Sequence, residues 1–260
     1  MRGIVIMADP KIKKYRDFLK DSIRMEIDFS RTDQSLGIKP PPIEKPHDPD
    51  KKHIDLVRNE DWEKRIKLDL VFAIKNRESH RSFSDEKLTL EELSFLLWAT
   101  QGIKQVLNPA TAFRVVPSAG CRHALETYLL INNVEGLEPG VYRYLPLEHQ
   151  LLFEFTGENL AKEVSAATLN QSFIGKAPIV FVWTAIPYRM EWRYDLAAHK
   201  VIALDAGHVC QNLYLAAEAI KAGTCAIAAY DQNRMDNLLR VDGEDEFTIY
   251  LAPVGKVKKG

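Results

Sequence analysis

Cysteine is scarce, with only Cys121, Cys210 and Cys225 in 260 residues. An odd number at wide spacing, with no Cys-x-x-Cys pair, offers neither a disulfide framework nor a zinc site. Reduced thiols are expected, with Cys210 and Cys225 as core filling. Long apolar runs are also lacking. No stretch approaches the roughly 20 residues that a helix needs to cross a bilayer, and residues 1–10 hold no long apolar segment followed by a cleavage site. A cytoplasmic location is therefore the expectation. Neither sign of charge dominates: 35 Lys and Arg against 36 Asp and Glu give a formal net charge of −1. General affinity for nucleic acid or an anionic membrane is not indicated, which leaves small molecules or proteins as partners. Common nucleotide and hydrolase motifs are missing too: there is no Gly-x-Gly-x-x-Gly turn, Walker A lysine loop, His-Glu-x-x-His helix or Gly-x-Ser-x-Gly elbow. Any nucleotide cofactor must be held by another device.

What is present is an ordinary globular composition, 46% hydrophobic and 27% charged, in a chain long enough to bury a substantial core. One domain with an N-terminal arm is expected. Residues 1–66 read as the arm and approach segment, because charges are dense there and apolar residues scattered; residues 67–260 read as the domain. In the arm, Tyr15, Phe18 and Leu19 suit one small amphipathic turn. Lys39-Pro40-Pro41-Pro42-Ile43-Glu44-Lys45-Pro46 is too proline-rich for a helix or central strand. It reads as an extended segment over its own domain or a dimer partner, with a recognition ligand as the alternative.

Leu68, Leu70, Val71 and Ile74 predict a helix over 66–75 with one buried stripe. Thr89-Leu90-Glu91-Glu92 is a capping box, opening a helix through Leu93, Leu96, Leu97 and core residue Trp98 that Gly102 closes. Residues 105–116 read as a loop. Strands are expected over 127–131, 224–228 and 247–251, a hairpin over 140–155 and a short helix over 157–168. The β-branched and aromatic run at 179–183 predicts a buried central strand. Ile202, Ala206, Val209, Leu213, Ala216 and Ile220 step by three or four, which is one stripe of a long helix stopped by Gly223. Gly207 and neighbouring alanines add a close-packing face. His208 reads as an interface or core histidine, since no second metal ligand has suitable spacing. Asp231 caps a helix through Met235, Leu238 and Leu239. Without a clean βαβ series, the expected class is α+β, a central mixed β-sheet flanked by helices.

Two stretches offer chemistry. In Asn76-Arg77-Glu78-Ser79-His80-Arg81-Ser82-Phe83, Arg77, Ser79 and Arg81 alternate, so in an extended turn they leave one face and can converge on an anion, two planar guanidinium forks with a neutral hydroxyl donor. On these residues alone, a solvated basic cap on a helix C-terminus is the simpler reading. In Pro117-Ser118-Ala119-Gly120-Cys121-Arg122-His123, small residues let backbone groups approach a flat ring; an ordinary tight turn is the alternative. Arg122 and His123 read as solvated, and Cys121 as a small buried thiol.

Together these stretches resemble the nitroreductase-like FMN flavoproteins. Arg77-Glu78-Ser79-His80-Arg81 is similar to that family's Arg-x-Ser-x-Arg, and Pro117-Ser118-Ala119-Gly120 to its flavin loop. Gly140-Val141-Tyr142-Arg143-Tyr144 and Asp205-Ala206-Gly207-His208, followed by Gln211-Asn212-Leu213, resemble the subgroup of the SagB/ThcOx azoline dehydrogenases. The resemblance covers residues 40–256. It implies the nitroreductase fold as an intertwined homodimer with two FMN sites at the subunit interface. Arg77, Ser79 and Arg81 would lie along the FMN phosphate, ribityl chain and pyrimidine, with Lys256 a further phosphate contact. Pro117, Ser118, Ala119 and Gly120 would come from the other subunit. Hydride would pass through FMN between NAD(P)H or an organic donor and a small-molecule acceptor.

The resemblance also points to Arg193 and Tyr194 as the catalytic pair, where azoline dehydrogenases carry Lys-Tyr. Arginine effectively cannot lose its proton in a protein, so Arg193 is a poor general base. It suits instead a carboxylate or phosphate of a substrate, with Tyr194 hydrogen-bonding above the flavin; two amphipathic residues at a helix start are the alternative. Glu78 stands where the family often has a second arginine, and Ala124 where proline is common. Peptide azoline dehydrogenation and a non-catalytic flavin-binding homodimer within a peptide-modifying complex are the competing functions.

Overall fold

A computed structural model describes residues 9–58 and 62–257; residues 1–8, most of the stretch read as lacking a leader, lie outside the described residues. In chain order the elements are α1 (Pro10–Asp17), β1 (His53–Asp55), α2 (Trp62–Arg65), α3 (Leu70–Asn76), α4 (Leu90–Gln101), β2 (Ile103–Asn108), β3 (Thr111–Arg114), β4 (Leu125–Ile131), β5 (Gly140–Leu145), β6 (Gln150–Phe155), α5 (Leu160–Ala167), α6 (Ser172–Gly175), β7 (Ile179–Ala185), α7 (Tyr188–Tyr194), α8 (Ala198–Ala219), β8 (Ala222–Thr224), α9 (Gln232–Leu239) and β9 (Phe247–Lys256).

The β-branched and aromatic run at 179–185 forms β7, buried along its whole length between β4 and β9 in a seven-stranded sheet ordered β1-β6-β5-β4-β7-β9-β8. Side chains alternate across this sheet as strand geometry requires. Leu129, Ile131, Phe181 and Trp183 face a core built with α4 and α8, while Tyr128, Leu130, Val180 and Val182 face a second one built with α5 and α9. The α+β class and helix-flanked sheet hold. Among the described residues every ladder in the sheet is antiparallel, and parallel pairing is confined to isolated bridges at Ser79–Thr224 and Leu88–Val134.

Helix α8 carries the stripe that the sequence spacing predicts: Ile202, Ala206, Val209, Leu213, Ala216 and Ile220 are buried. Its outer side, with Leu204, Gly207 and His208, is exposed. His208 is therefore no core residue in a single chain; its Nδ1 lies 3.9 Å from Asp205. The capping box at Thr89 and Glu92 forms with both bonds present. The Asp231 side chain accepts from the Arg234 N–H at the start of α9.

Several expectations are corrected. Helix α3 begins at Leu70, and Leu70, Val71, Phe72 and Ile74 are more than half exposed, so the described residues leave its apolar stripe uncovered. Residues 105–116, expected as loop, hold most of the β2–β3 hairpin, which spans 103–114. The turn ending α8 falls on Lys221, which takes a positive φ of 56°, and Gly223 is already in β8. The expected strand at 224–228 is displaced to β8, and β9 runs on through Pro253 to Lys256. Arg122 and His123 are buried, not solvated; the Arg122 guanidinium reaches the carbonyls of residues 41, 110 and 189.

The N-terminal segment lies on this domain. β1 pairs with β6 at the sheet edge, and Trp62 packs on Phe95 at 5.4 Å. Tyr15, Phe18 and Leu19 remain exposed. The proline-rich stretch covers its own domain: Arg114 donates to the Ile43 carbonyl at 2.9 Å, Arg143 to the Lys45 carbonyl at 3.0 Å, and the Lys45 N–H to Glu126 at 3.0 Å.

Candidate active site

The arginine run starts where α3 stops. Arg77 is the residue capping α3, its N–H still bonded to Ala73, and the chain then extends along β8, with the His80 N–H donating to the Thr224 carbonyl at 2.9 Å. Tyr214 of α8 organises the run. Its ring lies 5.1 Å from the Arg77 guanidinium, and its hydroxyl meets the Ser79 hydroxyl at 3.0 Å while accepting from the Ala226 N–H. Arg81 is exposed, as is Glu78. Among the described residues no carboxylate lies within ion-pair distance of Arg77 or Arg81. Two guanidinium groups and a hydroxyl without a protein anion make a donor set suited to a phosphate. Beside the run, α3, α4 and α8 enclose a groove of about 490 Å³, lined by Leu70, Ala73, Phe95, Trp98, Asn212 and Leu215.

Lys256 is near this run through its backbone, whose carbonyl accepts from the Ser84 N–H. Its ammonium, however, is nearly buried; it is held by Glu92 of the α4 capping box and donates to the Ile220 carbonyl at 2.7 Å. In this arrangement it ties β9 to the start of α4 and the end of α8.

The second cluster lies around the 117–120 loop. Gly120 has φ 58°, a left-handed conformation that favours glycine, and a Cβ placed there would lie 2.6 Å from the Tyr194 hydroxyl and 2.9 Å from Nε of Arg193. Thus the structure brings the loop and the Arg193–Tyr194 pair of α7 together. Ser118 accepts from the His123 N–H at 2.9 Å, and its hydroxyl and the Ala119 N–H act to lower the pKa of the nearby Asp205 carboxyl of α8. Burial outweighs them and His208 and raises the Asp205 pKa; its Oδ2 has no partner among the described residues. Burial, with Arg114 adding to it, pushes His123 down to about 3, so its imidazole is neutral.

These two clusters sit on opposite sides of α8. Asp205 and Tyr214 are nine residues apart, which places them roughly 14 Å apart along the axis and half a turn around it. A single flat ligand lying against one side of α8 does not reach both clusters of one chain. The roles of Asp205 and Tyr214 as anchors were not read from the sequence; only the motif Asp205-Ala206-Gly207-His208 drew attention to this helix. Among the described residues no group of three or more His, Cys, Asp or Glu could hold a metal.

The nitroreductase family pattern matches residues 74–256, from the end of α3 to the last residue of β9. This chain belongs to the nitroreductase family. Its members are typically FMN-dependent oxidoreductases and are generally dimeric. A protein of Methanocaldococcus jannaschii described as a nitroreductase is 35% identical over 191 residues, 74% of this chain and 91% of that one. The trifolitoxin-processing protein TfxB of Rhizobium leguminosarum bv. trifolii is 27% identical over 133 residues, half of this chain but only 36% of that protein. A crystal structure from Ralstonia eutropha JMP134, described as a nitroreductase, superimposes with a TM-score of 0.67 at 24% identity, covering 85% of this chain and 96% of that one; that likeness establishes the fold. Among the described residues no helix is long and apolar enough to cross a membrane.

Proposed function

We propose that this nitroreductase-family chain is an FMN-dependent oxidoreductase that moves hydride between NAD(P)H or an organic donor and a small-molecule acceptor, working as a homodimer. The observation that carries the cofactor is the Arg77–Ser79–Arg81 run, held by Tyr214 at Arg77 and Ser79 and meeting no carboxylate among the described residues. When bound, FMN would supply the reversible two-electron chemistry. Arg77 and Arg81 would grip its phosphate, and the Ser79 hydroxyl would donate beside them. Lys256 would support that grip by fixing the strand end on which the run lies, its ammonium being already engaged by Glu92.

The two-sided arrangement on α8 supports the dimer. Pro117, Ser118, Ala119 and Gly120 of one chain would complete the site whose arginine run belongs to the other, and the exposed α3 face with the outer side of α8 would be covered by the partner. Arg193 and Tyr194, packed on Gly120, would then face the substrate. Arg193 would act as a fixed cation and Tyr194 as a hydrogen-bonding group, neither as a strong base.

A second reading, dehydrogenation of a peptide azoline, is favoured by the likeness to the trifolitoxin-processing protein and opposed by Arg193 at the lysine position. The visible absorption spectrum of freshly purified protein, followed by heat release of the chromophore, tests the main reading. Flavin bands with released FMN, bleached anaerobically by NADH or NADPH, are expected. A colourless protein that takes up no added FMN would overturn it.

A further inference from the structure

The carboxylates and guanidinium groups around Tyr194 are unevenly matched. On α7, Glu191 is engaged by His199 at 2.8 Å. Asp205 is turned inward to Ser118 and Ala119, and Asp21 in the arm holds Arg24 at 2.8 Å. Asp195 is exposed at the end of the helix. Among the described residues none of them lies within ion-pair distance of Arg193.

The half-buried Arg193 is nevertheless fixed in place. Its Cδ and Nε pack on Gly120, and its guanidinium lies 5.6 Å from the Tyr194 ring. Arg122 stands behind it, stacked 4.8 Å over Trp192 and donating to the carbonyls of Arg189 and Ala110 at 3.1 and 3.2 Å. Arg122 adds positive field to the locality but has its donors occupied. Arg24 reaches the same locality from the arm, within electrostatic range of the Tyr194 phenol.

Helix α7 is itself locked by the arm. Tyr188 donates to Asp33 at 2.7 Å, the Trp192 indole to the Ile38 carbonyl at 2.9 Å, and the Gln34 N–H to the Trp192 carbonyl at 2.9 Å. A guanidinium that is positioned in advance, partly desolvated and without a carboxylate is a prepared receptor for an anion.

The geometry points to an anion subsite at Arg193, beside Gly120 and Tyr194, that selects small substrates bearing a carboxylate or phosphate group, with the arm segment 33–41 setting its position. This deepens the oxidoreductase reading and rests on it for the statement that the ligand is a substrate.

The test is calorimetric titration of the full-length protein with benzoate, phenyl phosphate and neutral benzyl alcohol, in the wild type, Arg193→Gln and Arg193→Lys, with flavin content measured in each preparation. At least one anion should bind about tenfold or more tighter than the alcohol, the scale of one charge-assisted hydrogen bond. That preference should vanish in Arg193→Gln, survive in part in Arg193→Lys, and leave flavin content unchanged. Stronger binding of benzoate assigns a carboxylate, and of phenyl phosphate a phosphate; equal binding of the two assigns charge alone, and each result supports the subsite. Equal binding of alcohol and anions, no binding of either anion, or a preference that survives Arg193→Gln overturns it. Anion binding through Arg193 in a protein that takes up no flavin would sink the oxidoreductase reading and leave the subsite standing; flavin binding with anions indifferent to Arg193 would do the reverse.

Discussion

Beneath the arm, Arg114, Arg122, Arg143 and Arg189 are buried and engaged by protein acceptors, whereas Arg77 and Arg81, at the edge of the domain, meet no carboxylate among the described residues. In the buried seam Arg189 binds Glu126 at 2.6 Å and Arg143 binds Glu154 at 3.0 Å. Burial alone would raise the Glu126 pKa, yet Arg189 and Arg143 carry it below the ordinary carboxylate value. The same side chain thus does two jobs. In the seam it satisfies carbonyls and carboxylates that folding has removed from water; in the run, on the proposed reading, its donors are left for a ligand phosphate. The contrast predicts that seam variants alter stability and run variants alter ligand binding.

The largest effect should come from Arg189→Ala, which leaves Glu126 buried without its nearest partner. Breaking such a pair costs about 3–5 kcal/mol, so thermal unfolding should move down by roughly 10 °C or more. The flavin content of the folded fraction should stay the same. Arg77→Ala combined with Arg81→Ala should do the opposite, weakening FMN binding about 100-fold or more by fluorescence titration with the melting temperature of the flavin-free protein hardly changed. If the double variant melts early and binds FMN normally, the run belongs with the seam and the contrast fails.

Gly120→Ala sharpens the comparison from the loop side. A left-handed alanine costs about 1–3 kcal/mol, and its Cβ displaces Tyr194 or Arg193. Substrate turnover should fall more than stability, read as a larger change in kcat/KM than in melting temperature.

The smallest effect concerns Glu44, in the arm. Burial lifts its pKa to about 7, opposed by the Leu147 N–H and assisted by Glu126 and Glu148. Its carboxyl holds a proton more tightly in the folded than in the unfolded chain. Its contribution is therefore whole below about pH 4.5 and declines as pH rises through about 7. Glu44→Gln, which can still accept from Leu147, should raise the melting temperature by a few degrees at pH 8 and by less at pH 5; equal shifts at both would contradict this.

Much of the fold was legible because its signals are local. The capping box at Thr89, the cap at Asp231, the β7 run and the α8 stripe each depend on neighbours within a turn or on a strong apolar period. The site was legible only in pieces. Arg122 read as solvated because the carbonyls that receive its guanidinium belong to residues 41, 110 and 189, none of them an immediate neighbour in sequence. The stripe on α3 is visible in the sequence, but among the described residues little covers it. β2 and β3 were missed because a mostly exposed hairpin has little apolar alternation to show. For Lys256, the family resemblance implied a phosphate contact, and only the structure reveals that Glu92 holds its ammonium.

That the run and the loop occupy opposite sides of α8 has a genetic consequence. In a homodimer whose sites each take the run from one chain and the loop from the other, a subunit defective in Arg77 and Arg81 and a subunit defective in Gly120 fail in different halves. When they pair, both lesions fall in the same site and the other is assembled from wild-type halves. Two inactive alleles expressed together would then complement each other, which neither does when expressed alone.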